Sequence, residues 1–334
     1  NTIEEEKVCT LLQNTVARLD HEFCRISMAD GRQWDCGATA LIAIVIGDTL
    51  VVAGLGDSNG VICCAISPED SEDGGGGDVV GEEDGWTILK EEGRDEPTKT
   101  NNAYPSSRGD NDDGRQQNRV HPRGVTVLLK EVVSPHSPSR EDERTRIENA
   151  NGWVVTDPEQ ISRVCGDLAV SRSLGDREFK AAYNMSMAQQ NTTHNNGGRN
   201  SDSFTGAILQ DDTIALKWGS EHLSEEYRLF PAPEKGHHFI GDVISAVPEI
   251  NSFQLGRRRT NRVMEEFLLL ACDGLWDVMN VVDATRVTRN LLFRKGLTAE
   301  ASADYLVEHA FSLGSRDNVT VIIVRFYGND STSR

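Results

Sequence analysis

The chain has 334 residues, enough for one large domain or two small ones with a sizeable core. Its 34 lysines and arginines stand against 53 aspartates and glutamates, a formal net charge of −19 with no dominant basic block, which argues against a nucleic-acid-binding face. Its seven cysteines, odd in number and without a CxxC pair, argue against a disulfide framework or a zinc site and for reduced thiols in an intracellular protein.

No stretch reads as a signal peptide or a membrane span, so the expected setting is the cytoplasm or the nucleus. The first residue is Asn1 rather than Met, which gives the expectation of a fragment or a processed product.

Val8, Leu12, Val16, Leu19 and Phe23 recur at helical spacing and predict an amphipathic helix over Ile3 to Phe23. Glu4, Glu5 and Glu6 sit where acidic side chains complement a helix N-terminus. After Gly37-Ala38-Thr39, the apolar run Ala40 to Ile46 predicts a strand, Gly47-Asp48 a hairpin turn, and Leu50 to Ala53 the return strand. Val61 to Ile66 is expected to complete an antiparallel meander. Asp57, beside Gly56, stands at a strand end; a plain loop aspartate is the bland alternative.

From 67 to 124 the composition becomes acidic and Gly-rich, then rich in Asn, Ser and Pro, which predicts a disordered low-complexity insertion. Trp86, Ile88 and Leu89 inside it read either as a short ordered piece or as an exposed docking motif. Val125 to Val133 is a strand candidate, Arg140 to Ala150 a short charged helix and Trp153 to Val155 a further strand. A second insertion, an enlarged flap, is expected over 181–241, where Asn184 and Asn191 match glycan acceptor patterns without a secretory signal to support them.

Ser245 to Gln254 leads to Glu265 to Asn280, EEFLLLACDGLWDVMN. Phe267 to Cys272 is an uninterrupted apolar run, the pattern of a strand buried on both faces, and it ends at Asp273-Gly274 with Asp277 four residues on. A carboxylate at the end of a buried strand is poorly solvated unless a cation or hydrogen-bond donors face it. Read alone, Asp273 and Asp277 are either hard oxygen ligands for a divalent ion or an ordinary Asp-Gly turn with Asp277 capping the next helix. Helices over Val281 to Phe293 and Ala299 to Leu313 follow, then Gly314 to Asn318 and the strand Val319 to Phe326. Asp317 is the third aspartate at a strand boundary. Oxygen-only donors favour magnesium or manganese over zinc or copper, and no Ser/His/Asp or Cys/Arg nucleophile motif competes with a metal-assisted hydrolysis.

In order, Gly37-Ala38-Thr39-Ala40, Gly56-Asp57-Ser58, the helix Glu143 to Gly152, Gly166 to Asp176 (GDLAVSRSLGD), Val247 to Ile250, Ala271 to Asp277 and Gly314 to Asn318 resemble the blocks of the metal-dependent protein serine/threonine phosphatases of the type 2C family. The resemblance spans nearly the whole chain outside the two insertions. It implies an α+β fold, a four-layer αββα sandwich of two antiparallel sheets flanked by helices, in one domain over 1–330. It implies dephosphorylation of phosphoserine and phosphothreonine in proteins with two Mn2+ or Mg2+ ions and a third, weaker one in some members. Asp273 and Asp317 match ligands of the binuclear centre; Asp57, Asp273 and Asp277 match ligands of the third ion; Ser171, Arg172 and Asp176 match framework positions. The implied partner is a phosphorylated protein, met by a monomer, with neither nucleic acid nor membrane involved.

Two blocks of that family do not appear among the 334 residues: the N-terminal strand with its Arg and Glu-Asp pair, and Asp-Gly-His. Asn59 replaces the usual Arg, and Pro135-His136 stands where Asp-His is common. The expectation is an N-terminally incomplete fold that binds metal weakly by these residues alone. The alternative from a different class is a non-catalytic phosphatase-like module that binds partners.

Overall fold

The computed structural model describes residues 2–27, 36–66, 81–83, 85–90, 126–157, 160–180, 239–255 and 263–326. Its elements are helix α1 (Thr2–Ser27), strands β1 (Gly37–Ala38), β2 (Ala40–Ile46), β3 (Thr49–Leu55), β4 (Asn59–Ile66), β5 (Gly81–Glu83), β6 (Trp86–Lys90) and β7 (Thr126–Glu131), then helix α2 (Glu141–Asn149). They continue with β8 (Val154–Thr156), β9 (Ser162–Val164), β10 (Leu174–Gly175), β11 (Glu249–Gln254) and β12 (Val263–Ala271). Helices α3 (Asp273–Trp276), α4 (Val281–Arg289) and α5 (Ala299–Ser312) and strand β13 (Val321–Arg325) close the chain. No helix among the described residues is long and apolar enough to cross a membrane.

Two compact units divide the chain: Asn1–Asn59 with Val132–Gln254, and Gly60–Glu131 with Leu255–Arg334. In the first, β11, β3 and β2 form an antiparallel sheet in that order. The hairpin β2–β3 turns at Gly47-Asp48, where Gly47 takes a positive φ of 56°, and pairs Ile46 with Thr49 as its last register. Helix α1 covers one face: Leu12 packs on Val51 and Ala53, with Val8 and Cys9 alongside.

Helix α1 differs from its predicted stripe in one instructive position. Leu19 is 56% exposed, whereas Asp20 and Cys24 continue the buried line of Leu12 and Val16. A helix tolerates a buried aspartate only when it is paired. Here Lys180 ion-pairs with Asp20, and the Gly175 N–H donates to it at 2.8 Å.

In the second unit six strands run in the order β13, β12, β4, β7, β6, β5. Strand β4 therefore does not complete a meander with β2 and β3: it pairs with β7. The sequence shows a third apolar run after a short turn, but the partner of a strand is chosen by packing, which local spacing does not encode. Alternate residues Val61, Cys63, Val127, Leu129, Phe267 and Leu269 point to one face, where Leu275, Ala284, Leu292, Leu306 and Ala310 from the helices meet them. Their neighbours Ile62, Cys64, Leu268 and Leu270 are buried as well, as the continuous apolar run in β12 predicts.

The segment 67–124 contains ordered structure. Strands β5 and β6 form a hairpin within it, β6 pairs with β7 from Thr87↔Leu129 to Lys90↔Thr126, and Leu89 is 2% exposed in the core. The choice left open for Trp86, Ile88 and Leu89 is thereby decided in favour of an ordered piece; the rest of that segment, and of 181–241 before Phe239, lies outside the described residues.

Candidate metal centre

Antiparallel pairing of β12 and β13 sets Ala271 opposite Val321, so the chain leaves β12 where it enters β13. The turn after the first carries Asp273 and the turn before the second carries Asp317. Helix α3 is one turn long and begins at Asp273, whose Oδ1 accepts from the N–H of Gly274 at 2.9 Å. Asp277 closes that turn, with its N–H donating to the Asp273 carbonyl at 2.8 Å. Asp317 Oδ1 accepts from the Asn318 N–H at 2.6 Å.

The bland reading of Asp277 as the cap of the next helix does not hold. Asn280 fills that role for α4, accepting from the Asp283 N–H at 2.9 Å and donating to the Asp283 carboxylate at 2.8 Å. Asp277 is left facing other negative charge. Partial burial, then Asp273 and Asp317, raise its carboxyl above the usual range. Among the described residues no lysine or arginine pairs with any of the three aspartates.

Asp277 with Asp273 and Asp317 acting on it, and no cationic partner among the described residues, suits a hard divalent ion in donor type and charge. No group of three His, Cys, Asp or Glu residues among the described ones is close enough to hold a metal by itself. Magnesium-type ions keep several waters and take one or two carboxylates, so the absence of a closed triad does not conflict with that donor chemistry.

Asp57 belongs to the other compact unit, half-buried after β3. Gly56 before it has φ 99°, and a Cβ there would lie 2.3 Å from the Thr39 methyl, so only glycine fits. Thr39 and Ser58 hydroxyls meet at 3.2 Å across the turn. His136, fully buried, grips the same glycine: its backbone N–H donates to the Gly56 carbonyl at 2.9 Å and its Nδ1 lies 3.1 Å from the Gly56 nitrogen. Burial and then Arg172 depress the His136 imidazole, favouring its neutral form.

The framework residues gather on Glu143, which the sequence shows only as one acid in a charged helix. Arg172 and Arg146 pair with its carboxylate, and the Ser171 hydroxyl donates to it at 2.7 Å. Burial opposes charge on Glu143, but these donors outweigh it and hold the carboxyl at about 2. The signal available in the sequence was the spacing Arg140, Glu143, Arg146, which aligns one acid with two bases on a helix face. Asp176 is buried too, accepting from the Ser173 hydroxyl, and Gly37 packs so tightly on it that no Cβ could be added. Sequence reading also missed Cys272 and Ser315, which contact the turns on either side of the aspartates.

The protein phosphatase 2C family model matches residues 2–70 and 116–319. The chain is 30% identical over 202 residues to protein phosphatase 2C 57 of Arabidopsis thaliana, covering 60% of this chain and 40% of that protein. It is 26% identical over 299 residues to the probable protein phosphatase 2C 71 of the same plant, covering 90% of this chain and 37% of that one. The chain thus spans about two-fifths of the length of these curated relatives. Among solved structures, the serine-threonine phosphatase 2C from Toxoplasma gondii superposes with a TM-score of 0.52 at 14% identity, over 98% of this chain and 71% of that one. At that identity the likeness shows the fold.

Proposed function

The chain belongs to the protein phosphatase 2C family, and from that premise we propose that it serves the metal-dependent hydrolysis of phosphoserine and phosphothreonine in proteins. The observation that carries this reading is the position of Asp273, Asp277 and Asp317 where β12 ends and β13 begins, with partial burial and then Asp273 and Asp317 raising the carboxyl of Asp277. Asp273 and Asp317 would hold the central Mn2+ or Mg2+ ions and Asp277 the peripheral one; Asp57 enters only by its match to the family's Gly-Asp-Ser block. A bound divalent ion supplies a more acidic water and charge neutralisation at a phosphoryl group. The protein's own residues would contribute ligand spacing, through the turns on either side of Asp273 and Asp317.

The substrates would be phosphorylated proteins acted on by a monomer in the cytoplasm or nucleus. Hydrolysis of a phosphothreonine peptide in the presence and absence of Mn2+ tests the reading, with Asp273→Asn as the comparison. Metal-dependent release of phosphate that falls by at least two orders of magnitude in the variant supports it; release indifferent to both defeats it.

A second reading is a non-catalytic module that binds partners, since no group of three metal-ligating residues closes among the described ones. The two readings part on a phosphopeptide that binds without being hydrolysed at saturating Mn2+.

A further inference from the structure

The turns bearing Asp273 and Asp317 are joined by contacts that involve neither carboxylate. Cys272 Sγ donates to the Asn318 carbonyl at 3.2 Å and accepts from the Thr320 N–H at 3.2 Å. The Cys272 N–H donates to the Thr320 carbonyl, also at 3.2 Å, and the Ser315 hydroxyl donates to the Gly274 carbonyl at 2.7 Å. At Gly274 the two turns pack tightly: a Cβ there would stand 2.4 Å from the Asn318 carbonyl oxygen. Asp273 is thus bracketed by Cys272 and Gly274, and Asp317 by Ser315 and Asn318, with every bracketing residue engaged across the gap.

We propose that Cys272, Gly274 and Ser315 are positioning residues that set the separation of the Asp273 and Asp317 carboxylates for a divalent cation. The proposal deepens the metal reading above and rests on it. Like charges carried on two adjoining turns favour their separation in the absence of a cation. A lock made of backbone and uncharged side chains opposes that drift without neutralising the charge that attracts the ion. The thiol suits this place because it acts as donor and acceptor at once. A hydroxyl can do both as well, whereas a methyl group can do neither.

The test is a Mn2+ titration of the 334-residue chain, followed by water-proton relaxation so that weak binding is visible, with thermal melts confirming that each variant folds. Asp273→Asn should abolish uptake. Cys272→Ala and Ser315→Ala should raise the Kd at least about tenfold, the range found when groups that orient metal ligands are removed. Cys272→Ser should return the Kd to within roughly threefold of the parent chain, because its hydroxyl replaces both hydrogen bonds. Hydrogen exchange at the Thr320 amide should quicken in Cys272→Ala and stay slow in Cys272→Ser.

Parent-like Kd values for both alanine variants, with Asp273→Asn inactive in uptake, overturn the lock and leave the metal reading standing. Equal weakening in Cys272→Ala and Cys272→Ser overturns the hydrogen-bond account. Absence of Mn2+ uptake by the parent chain, or uptake unchanged in Asp273→Asn, defeats the metal reading and the lock together.

Discussion

Arg289 and Glu266 form a bidentate ion pair inside the six-stranded unit, Nη2 donating to Oε1 at 2.8 Å with the two side chains 7% and 6% exposed. Glu266 lies on β12 and Arg289 ends α4, so the pair ties helix to sheet. Cys63 Sγ donates to the same carboxylate at 3.5 Å, and burial followed by the Glu266 charge drives that thiol well above its ordinary range. Arg289→Ala would leave a buried carboxylate without its counter-charge, at a cost of about 3–5 kcal/mol. Urea denaturation should show that loss as a lower midpoint, while the double replacement Glu266→Leu, Arg289→Met recovers most of it. A loss below about 1 kcal/mol would mean that water reaches the pair.

Glu143 gives the first unit an acid-labile joint. Its folded-state carboxyl, held at about 2 by Arg172, Ser171 and Arg146, lies below the ordinary value of 4.5. The folded chain therefore binds this proton less tightly than the unfolded one. The resulting stability is present above the unfolded value and is lost as pH falls from about 4.5 toward 2. Two to three pKa units correspond to roughly 3 kcal/mol. Glu143→Gln should lower the melting temperature at pH 7 and flatten its dependence on pH in the acid range. An unchanged acid limb would remove Glu143 from the account.

Leu89 tests whether the hairpin inside the acidic segment belongs to the core. At 2% exposed, it packs with Val127 and Leu129 of β7 and with Cys63 of β4. Leu89→Ala should cost about 2–5 kcal/mol. A change under about 0.5 kcal/mol, the ordinary surface value, would show the hairpin to be an ornament.

Leu89 also marks the limit of what the sequence discloses. Of the strands with a strong local signature, Ala40 to Ile46 lies where its apolar run predicts and Phe267 to Cys272 falls in β12 except for its last residue, and the aspartates that follow β3 and β12 lie close to those strand ends. A five-residue strand bounded by acidic and Gly-rich stretches has too little pattern of its own; its identity comes from the ladder offered by β7. The same holds for Asp20 against Leu19, settled by Lys180 far along the chain, and for Glu143, settled by Arg172. At the candidate metal centre the carboxylates were legible because their residue type is their chemistry. Cys272 and Ser315 were not, because a positioning role exists only once the two turns are brought side by side.

Asp277 supplies the last prediction, in which charge and metal are linked. Partial burial, then the charges of Asp273 and Asp317, raise its carboxyl, so the folded chain holds this proton more tightly than the unfolded chain does. Stability from this group is therefore fully present below the unfolded value of about 4 and declines as pH rises through the folded value. Asp277→Asn removes the repelling charge, and the metal-free variant should melt higher than the parent at pH 7. That advantage should shrink below about pH 4, where the parent carboxyl is protonated in both states. A divalent ion neutralises the same repulsion, so saturating Mn2+ should narrow or reverse the difference at pH 7. Thermal melts at the two pH values, with and without Mn2+, provide the comparison. If Asp277→Asn raises the melting temperature equally in all four conditions, the effect is one of packing, and the three aspartates do not form an electrostatic unit.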